Sequence, residues 1–292
     1  MTAPARPRSS LARGWLARWL PALPLLILVG ALLIAPALLL IVQSFVGPNG
    51  PSLELWAKGL SVALNQQAIV TSLVLGVACA SIATLVGAPM AWLISRMIPR
   101  SRAAWLALLN VAANFGGIGL AFAYIAVLGT QGMITLGLEG LGTGFVPPRP
   151  SSFIGLLAAY SYTNIPLFVL LTIPAMGILR NEWWEAAQTA SATRWQFWRM
   201  VGIPVLTPFI AGGWLLIFTW SIGIYGLAYA MGFTAAQSGK LRLITLQIGI
   251  TLNTGAGREE RAAVLAVVLL LLATVSLVAY RLILRWALRW FV

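Results

Sequence analysis

Six apolar stretches dominate the chain, each long enough to cross the hydrocarbon core of a bilayer as a helix. They cover about 20–45, 68–94, 104–128, 153–179, 207–232 and 262–280. Short polar passages separate them. The first carries Gly47, Pro48, Asn49, Gly50, Pro51, Glu54 and Lys58, and the second is a basic turn with Arg96, Arg100 and Arg102. Residues 129–152 are rich in glycine and proline and read as an external connection. Residues 233–260 are mixed, and 241–252 predicts a short helix partly dipping into the membrane. The pattern predicts an all-α fold, a polytopic membrane bundle of six transmembrane helices.

The longest polar passage in the second half reads NEWWEAAQTASATRWQFWRMVGIPVLTP, from Asn181 to Pro208. Asn181 is placed to cap a helix through its side-chain oxygen. Glu182 and Glu185 fall in the first turn, where the helix dipole favours negative charge. Ala186, Ala187, Gln188 and Ala190 continue the helix, and Ser191, Ala192 and Thr193 weaken it. A second short helix over 194–201 carries Trp195, Phe197 and Trp198, with Gly202 and Pro204 as its stop and Pro208 opening the next apolar run. Trp195 and Arg199 are four apart, a spacing that allows a stacked pair. Two short, Trp-rich helices joined by a bend and held near a membrane suit the docking of a partner protein.

Composition agrees with the pattern. Of 292 residues, 60% are hydrophobic and 9% charged, which excludes an ordinary soluble domain. The formal charge of +13 points to membrane orientation rather than nucleic acid, because the basic residues flank apolar runs. Arg6, Arg8, Arg13 and Arg18 precede a first apolar run too long for a signal peptide's core, so that run is read as a span. The N-terminal tail, the turn after the second span, the passage after the fourth and the C-terminal end hold 13 of the 19 basic residues. This bias predicts that both termini and residues 181–204 face the cytoplasm.

The acidic residues narrow the function. Glu54, Glu139, Glu259 and Glu260 fall outside the spans or at their ends, and Glu182 and Glu185 in the 181–204 passage. Ion-driven carriers usually need an ionisable or coordinating group at membrane depth, and no carboxylate is placed there. Backbone carbonyls remain as sodium ligands, so a free-standing channel or ion-coupled carrier is the alternative reading. The chain has no P-loop: its only Gly-Lys pair, Gly239 and Lys240, is followed by Leu241. A membrane enzyme is less supported, since His and Asp are absent and the single cysteine, Cys79, lies inside an apolar run. A transporter with neither ion-coupling groups nor a nucleotide site needs an energising partner.

A translocation route is sought among polar and aromatic residues within the spans. Asn114 and Phe115 precede Gly116, Gly117 and Gly119, which permit either close helix contact or a bend. Ser161, Tyr162 and Asn164 form a polar cluster in the fourth span, read as helix–helix hydrogen bonding or as route. Pro166 frees an upstream carbonyl near Tyr162. Trp220, Gly223, Tyr225, Gly226 and Tyr229 suggest an irregular fifth helix.

The spacing in the 181–204 passage resembles the EAA loop of binding-protein-dependent ABC importer permeases, whose pattern is E-A-A, three residues, G, nine residues, I-x-L-P. Glu185, Ala186 and Ala187 match its opening, Val201 and Ile203 stand at the Ile and Leu positions, and Pro204 matches. Ser191 stands where the family has Gly, and a serine tolerates a left-handed conformation less well. The runs GAPMAWLISR, NFGGIGLAFAYIAVLG and YSYTNIPLFVLLTIPAM are similar to the branch that includes polyamine, ferric-iron and phosphonate importer permeases. The resemblance covers roughly 20–285. It implies a type I importer permease fold, with a basic cytoplasmic tail at 1–19, a six-span domain at 20–285 and a cytoplasmic end at 286–292. It implies a non-catalytic subunit of the bacterial inner membrane that binds no cofactor itself. ATP and Mg would sit on two cytoplasmic ATPase subunits. A second permease subunit and an external or periplasmic solute-binding protein complete the implied assembly. Glu185, Ala186, Ala187, Ser191, Arg194, Trp195 and Pro204 are the implied coupling residues; Asn114, Phe115, Tyr162, Asn164, Trp220 and Tyr225 are the candidates for the route. No metal site is expected.

Overall fold

A computed structural model describes residues 20–47, 50–142, 144, 147–231, 242–253 and 259–288. The tail at 1–19, the last four residues of the C-terminal end and Lys240 lie outside them. The architecture is helical, apart from a two-stranded antiparallel turn in which β1 (Val46–Gly47) pairs with β2 (Gly50–Pro51). The helices are α1 (Leu23–Phe45), α2 (Glu54–Ser61), α3 (Ala63–Ser95), α4 (Pro99–Asn114), α5 (Gly117–Leu128) and α6 (Met133–Gly140). There follow α7 (Phe153–Met176), α8 (Asn181–Thr189), α9 (Arg194–Gly223), α10 (Gly226–Ala230), α11 (Ile244–Asn253) and α12 (Glu259–Leu288). Among the described residues six stretches are long and apolar enough to cross a membrane: α1, α3, Gly117–Gly140, α7, α9 and Arg261–Trp286.

The α7 helix is the centre, packed against α3, α4 and α9, with α12 beside α9 and α1 resting on α12. Phe168 is fully buried between α3 and α9. The backbones approach closely there: a Cβ added at Gly87 would stand 2.7 Å, and at Gly213 2.9 Å, from its ring. Gly76 fits against Ile222 and Gly212 against Tyr280 in the same way. Without a hydrophobic driving force between lipid-solvated helices, such small-residue contacts carry much of the association. By contrast, Ser44 alone is buried in the second half of α1, so this span is mostly exposed.

Three sequence expectations need correction. The third span is not one helix over 104–128. It is divided into α4 and α5 by Phe115 and an extended Gly116, and Gly117 has φ +65°, a conformation suited to glycine. A Cβ at Gly117 or Gly119 would meet nothing within 4 Å, so the bend, not close packing, accounts for this glycine run. The connection at 129–152 contains α6. Finally, Gly202 and Pro204 do not end a helix. The chain stays helical from Arg194 to Gly223 through a π-turn at Trp198–Gly202, where the Ile203 amide bonds to the Trp198 carbonyl. The wider turn carries the chain into the first positions of the following α-helical segment, where the missing Pro204 N–H is tolerated.

The irregularity foreseen around Gly223–Gly226 is present. Helix α9 stops at Gly223 and α10 starts at Gly226. The Ile224 carbonyl freed by this break accepts hydrogen bonds from Tyr160 Oη and Thr245 Oγ1, both at 3.2 Å. The expected short helix near 241–252 is α11.

Candidate functional site

Two short segments at one end of the bundle form the candidate coupling surface. Helix α8 ends in a Schellman turn: the Ala192 amide bonds to the Ala187 carbonyl and the Ser191 amide to the Gln188 carbonyl, both at 2.9 Å. Ser191 occupies the left-handed position of that turn with φ +56°, the one positive φ at a non-glycine among the described residues. The position at which the resembled family has glycine is therefore the position that favours glycine physically.

Thr193 then restarts the chain. Its Oγ1 accepts from the Gln196 amide at 3.3 Å, and its own amide donates to Gln196 Oε1 at 2.8 Å. The sequence spells this capping box as Thr-x-x-Gln, beginning in the stretch expected only to weaken the helix. Asn181 does not cap α8: its side-chain oxygen accepts from Arg96, and the cap position belongs to Arg180.

Arg96, which the sequence reading counts only for orientation, is the residue that ties the loop to the spans. It stands at the end of α3, with its guanidinium 4.2 Å over the Trp92 ring. It donates to Asn181 Oδ1 and, at 2.7 Å, to the Leu179 carbonyl. One planar, multiply donating group thus fastens the start of α8 to the ends of α3 and α7. No local pattern marks a contact over more than eighty residues. Aromatic rings fill the seam: Trp198 meets Trp92 edge-on at 4.7 Å, and Trp184 meets the buried Phe197 at 5.3 Å. A Cβ at Gly202 would stand 2.6 Å from the Trp198 ring, so this glycine makes room for it. The cation–ring contacts here are Arg96 over Trp92 and Arg194 over Trp184, rather than Trp195 with Arg199.

Glu185 and Ala186 are exposed on α8, Ala187 is half-buried, and Arg194 and Trp195 are exposed at the start of α9, Trp195 by 69%. Pro204 lies further along α9, away from the bend. Beneath the loop is a cavity of about 260 Å³ whose lining includes Trp92, Arg96, Arg180, Trp184, Arg194 and Trp198.

The candidate route residues do not converge on one place. Phe115 and Tyr162 share an apolar cavity of about 390 Å³ with Leu120, Tyr124, Val127 and Ile134. Asn114 is exposed, and its amide bonds to the Asn110 carbonyl at 2.8 Å. Asn164 is fully buried and donates to Ser221 Oγ at 2.8 Å, joining α7 to α9, as helix–helix bonding requires. Ser161 bonds within its own helix, to the Leu157 carbonyl. Trp220 is 59% exposed, and Tyr225 stacks on Tyr229 at 5.3 Å.

No protein-family model matches the chain. It is 32% identical over 128 residues to the sulfate transport system permease protein CysT of Escherichia coli, covering 43% of this chain and 46% of that protein. The chain thus spans about half the length of these curated relatives. It is 26% identical to the molybdenum transport system permease protein ModB of Mycobacterium tuberculosis over 76% of this chain and 80% of that one. It is 25% identical to the spermidine/putrescine transport system permease protein PotB of Haemophilus influenzae, over 58% and 59%. A solved bacterial ABC transporter that imports the acidic polysaccharide alginate shares the fold, with a TM-score of 0.71 at 17% identity over 96% of this chain and 98% of that one. Through the EAA-type loop, the six spans and these relatives together, the chain is similar to the permeases of binding-protein-dependent ABC importers, and it shares the fold of a solved ABC transporter chain.

Proposed function

We propose that the chain is the membrane-spanning subunit of an ATP-driven solute importer and couples partner ATPases to alternating access through residues 181–204. The observation that carries this reading is mechanical. The second half of the loop is the beginning of a 30-residue helical segment running from Arg194 to Gly223. Its first half is tied by Arg96 to α3 and to the end of α7. A push on the exposed side chains of Glu185, Ala186, Arg194 and Trp195 is thereby delivered to three spans rather than absorbed by a slack loop. Packed helices that switch between discrete arrangements give alternating access. The breaks at Phe115–Gly117 and Ile224–Tyr225 are the natural hinges.

The assembly has two cytoplasmic ATPase subunits holding ATP and Mg, a second permease subunit and an external solute-binding protein. The loop and both termini face the cytoplasm of a bacterial cell in this reading, which the excess of basic residues on the loop side supports. Ser191 shapes the docking bend, and the Phe115–Tyr162 cavity is part of the solute route. A small inorganic anion is the cargo this reading favours over a polyamine. The sulfate and molybdenum permeases support it, and no carboxylate lies in the interior of a span to attract a cation.

Proteoliposomes test this. The chain with its ATPase subunits and binding protein takes up sulfate or molybdate only with ATP, and spermidine poorly. Uptake by the chain alone, without ATP, would overturn the reading in favour of a free-standing carrier.

A further inference from the structure

The cavity beneath the loop gathers more positive charge than the Arg96 fastening and the docking surface account for. Arg96, Arg180 and Arg194 line it, together with Trp92, Trp184 and Trp198, and no carboxylate residue is part of the lining. Among the described residues Arg194 has no carboxylate within 4 Å, and Arg180 reaches only the exposed Glu182, at 3.5 Å. Arg96 spends N–H groups on Asn181 and Leu179 and still has others to donate. The start of α8 faces the same space, since Arg180 and Asn181 are part of the lining and Arg180 caps the helix without a side-chain bond. Its free amides and dipole add to the preference for an anion.

Depth selects which anion. Helices α3 and α7 end at Ser95 and Met176, and Trp92, Arg96 and Leu179 lie within about one turn of those ends. A cavity at the ends of two spans, lined by three tryptophans, matches the headgroup level, where tryptophan rings accumulate. Of the surface proposed for the ATPase, exposed Glu185, Ala186 and Trp195 are not part of its lining, and Arg194 alone is shared. We propose that this cavity binds the phosphate of an anionic phospholipid headgroup. The guanidinium forks match the phosphate oxygens, and the tryptophans cover the glycerol and upper acyl chain. The lipid wedges the seam between loop and spans, so the stiffness of the coupling element depends on membrane composition.

Native mass spectrometry of the full complex, purified in phosphatidylglycerol and phosphatidylcholine mixtures, tests the site. The double variant Arg180→Gln/Arg194→Gln removes two cations without touching the Arg96 fastening. Wild type is expected to retain a phosphatidylglycerol adduct, and the double variant to need roughly tenfold more of that lipid for equal occupancy. Arg281→Gln/Arg285→Gln, at the far end of α12, is expected to leave occupancy unchanged. A stability comparison in phosphatidylcholine alone controls for folding: both proteins melt together there, and only wild type gains on adding phosphatidylglycerol. Equal occupancy in wild type and the loop variant would overturn the proposal. Displacement of the adduct by equimolar inorganic phosphate would overturn it in favour of a free-anion site. Loss of the adduct from the isolated chain on addition of ATPase subunits would overturn it in favour of a partner carboxylate. None of these readouts involves uptake, so failure here leaves the import reading standing.

Discussion

Replacing Ser191 with glycine is expected to stabilise the bend between α8 and α9. Ser191 holds φ at +56°, and a non-glycine residue in the left-handed region costs roughly 1–2 kcal/mol. Glycine removes that strain, but its freer unfolded chain returns about 0.4–1 kcal/mol. Taking the middle of each range, the net gain is about 0.8 kcal/mol. The side chain is exposed, so little packing is lost. The two amides that close the turn, those of Ser191 and Ala192, report on it directly. Hydrogen–deuterium exchange of a peptide spanning 187–193 in nanodiscs reads the gain as roughly two- to fivefold slower exchange. Ser191→Val is expected to act in the opposite direction, because a β-branched side chain fits a positive φ worse than serine does. Faster or unchanged exchange in the glycine variant would refute the strain argument. Equal exchange in serine, glycine and valine proteins would mean that the turn is not held at this φ in the membrane.

Other consequences follow from close packing and from charge. Gly76→Ala pushes a Cβ to 2.7 Å from Ile222 and is expected to destabilise by about 1–3 kcal/mol. Gly119→Ala meets open space inside a helix and is expected to gain up to about 1 kcal/mol; unfolding in mixed micelles separates the two. Arg96→Met removes the charge-assisted bonds to Asn181 at the start of α8 and to the Leu179 carbonyl just before it, each worth about 1.5–3 kcal/mol. Exchange across 181–189 is then expected to rise at least tenfold while that of α7 is unchanged. The exposed Glu54 carboxyl is held below its ordinary 4.5 by the hydrogen bond and charge of Lys58 one turn on. Whatever this pair contributes is present at neutral pH and lost as pH falls through the lowered value. Lys58→Gln is expected to raise the Glu54 pKa, read by infrared titration, with no measurable change in stability.

The spans were legible because apolar length is a one-dimensional property. Their breaks were not. At Gly116–Gly117 the sequence allowed either packing or a bend, and the positive φ of Gly117 decided for the bend. Pro204 read as a stop because a proline removes an amide. The π-turn beginning at Trp198, with Gly202 yielding to the Trp198 ring, places it where that amide is not needed. The docking bend was half legible. The glycine-preferring site at Ser191 followed from the resemblance to the EAA pattern, and the Thr193–Gln196 box is present in the letters as Thr-x-x-Gln. The Arg96 fastening and the Asn164–Ser221 bond join residues far apart in the chain, and no local pattern announces them. Of the route candidates, Phe115 and Tyr162 came together; Asn164 turned out to serve the α7–α9 seam.

The central claim is that residues 181–204 dock an ATPase. Co-purification from native membranes in mild detergent, wild type beside Glu185→Arg, tests it most directly. Glu185 is exposed and makes no ion pair among the described residues, so its reversal disturbs the surface rather than the fold. The account predicts an ATPase subunit in the wild-type complex and its loss or marked depletion in the variant, with the permease chain equally abundant in both. A stable permease chain with no ATPase in either preparation, or with the same amount in both, would contradict it.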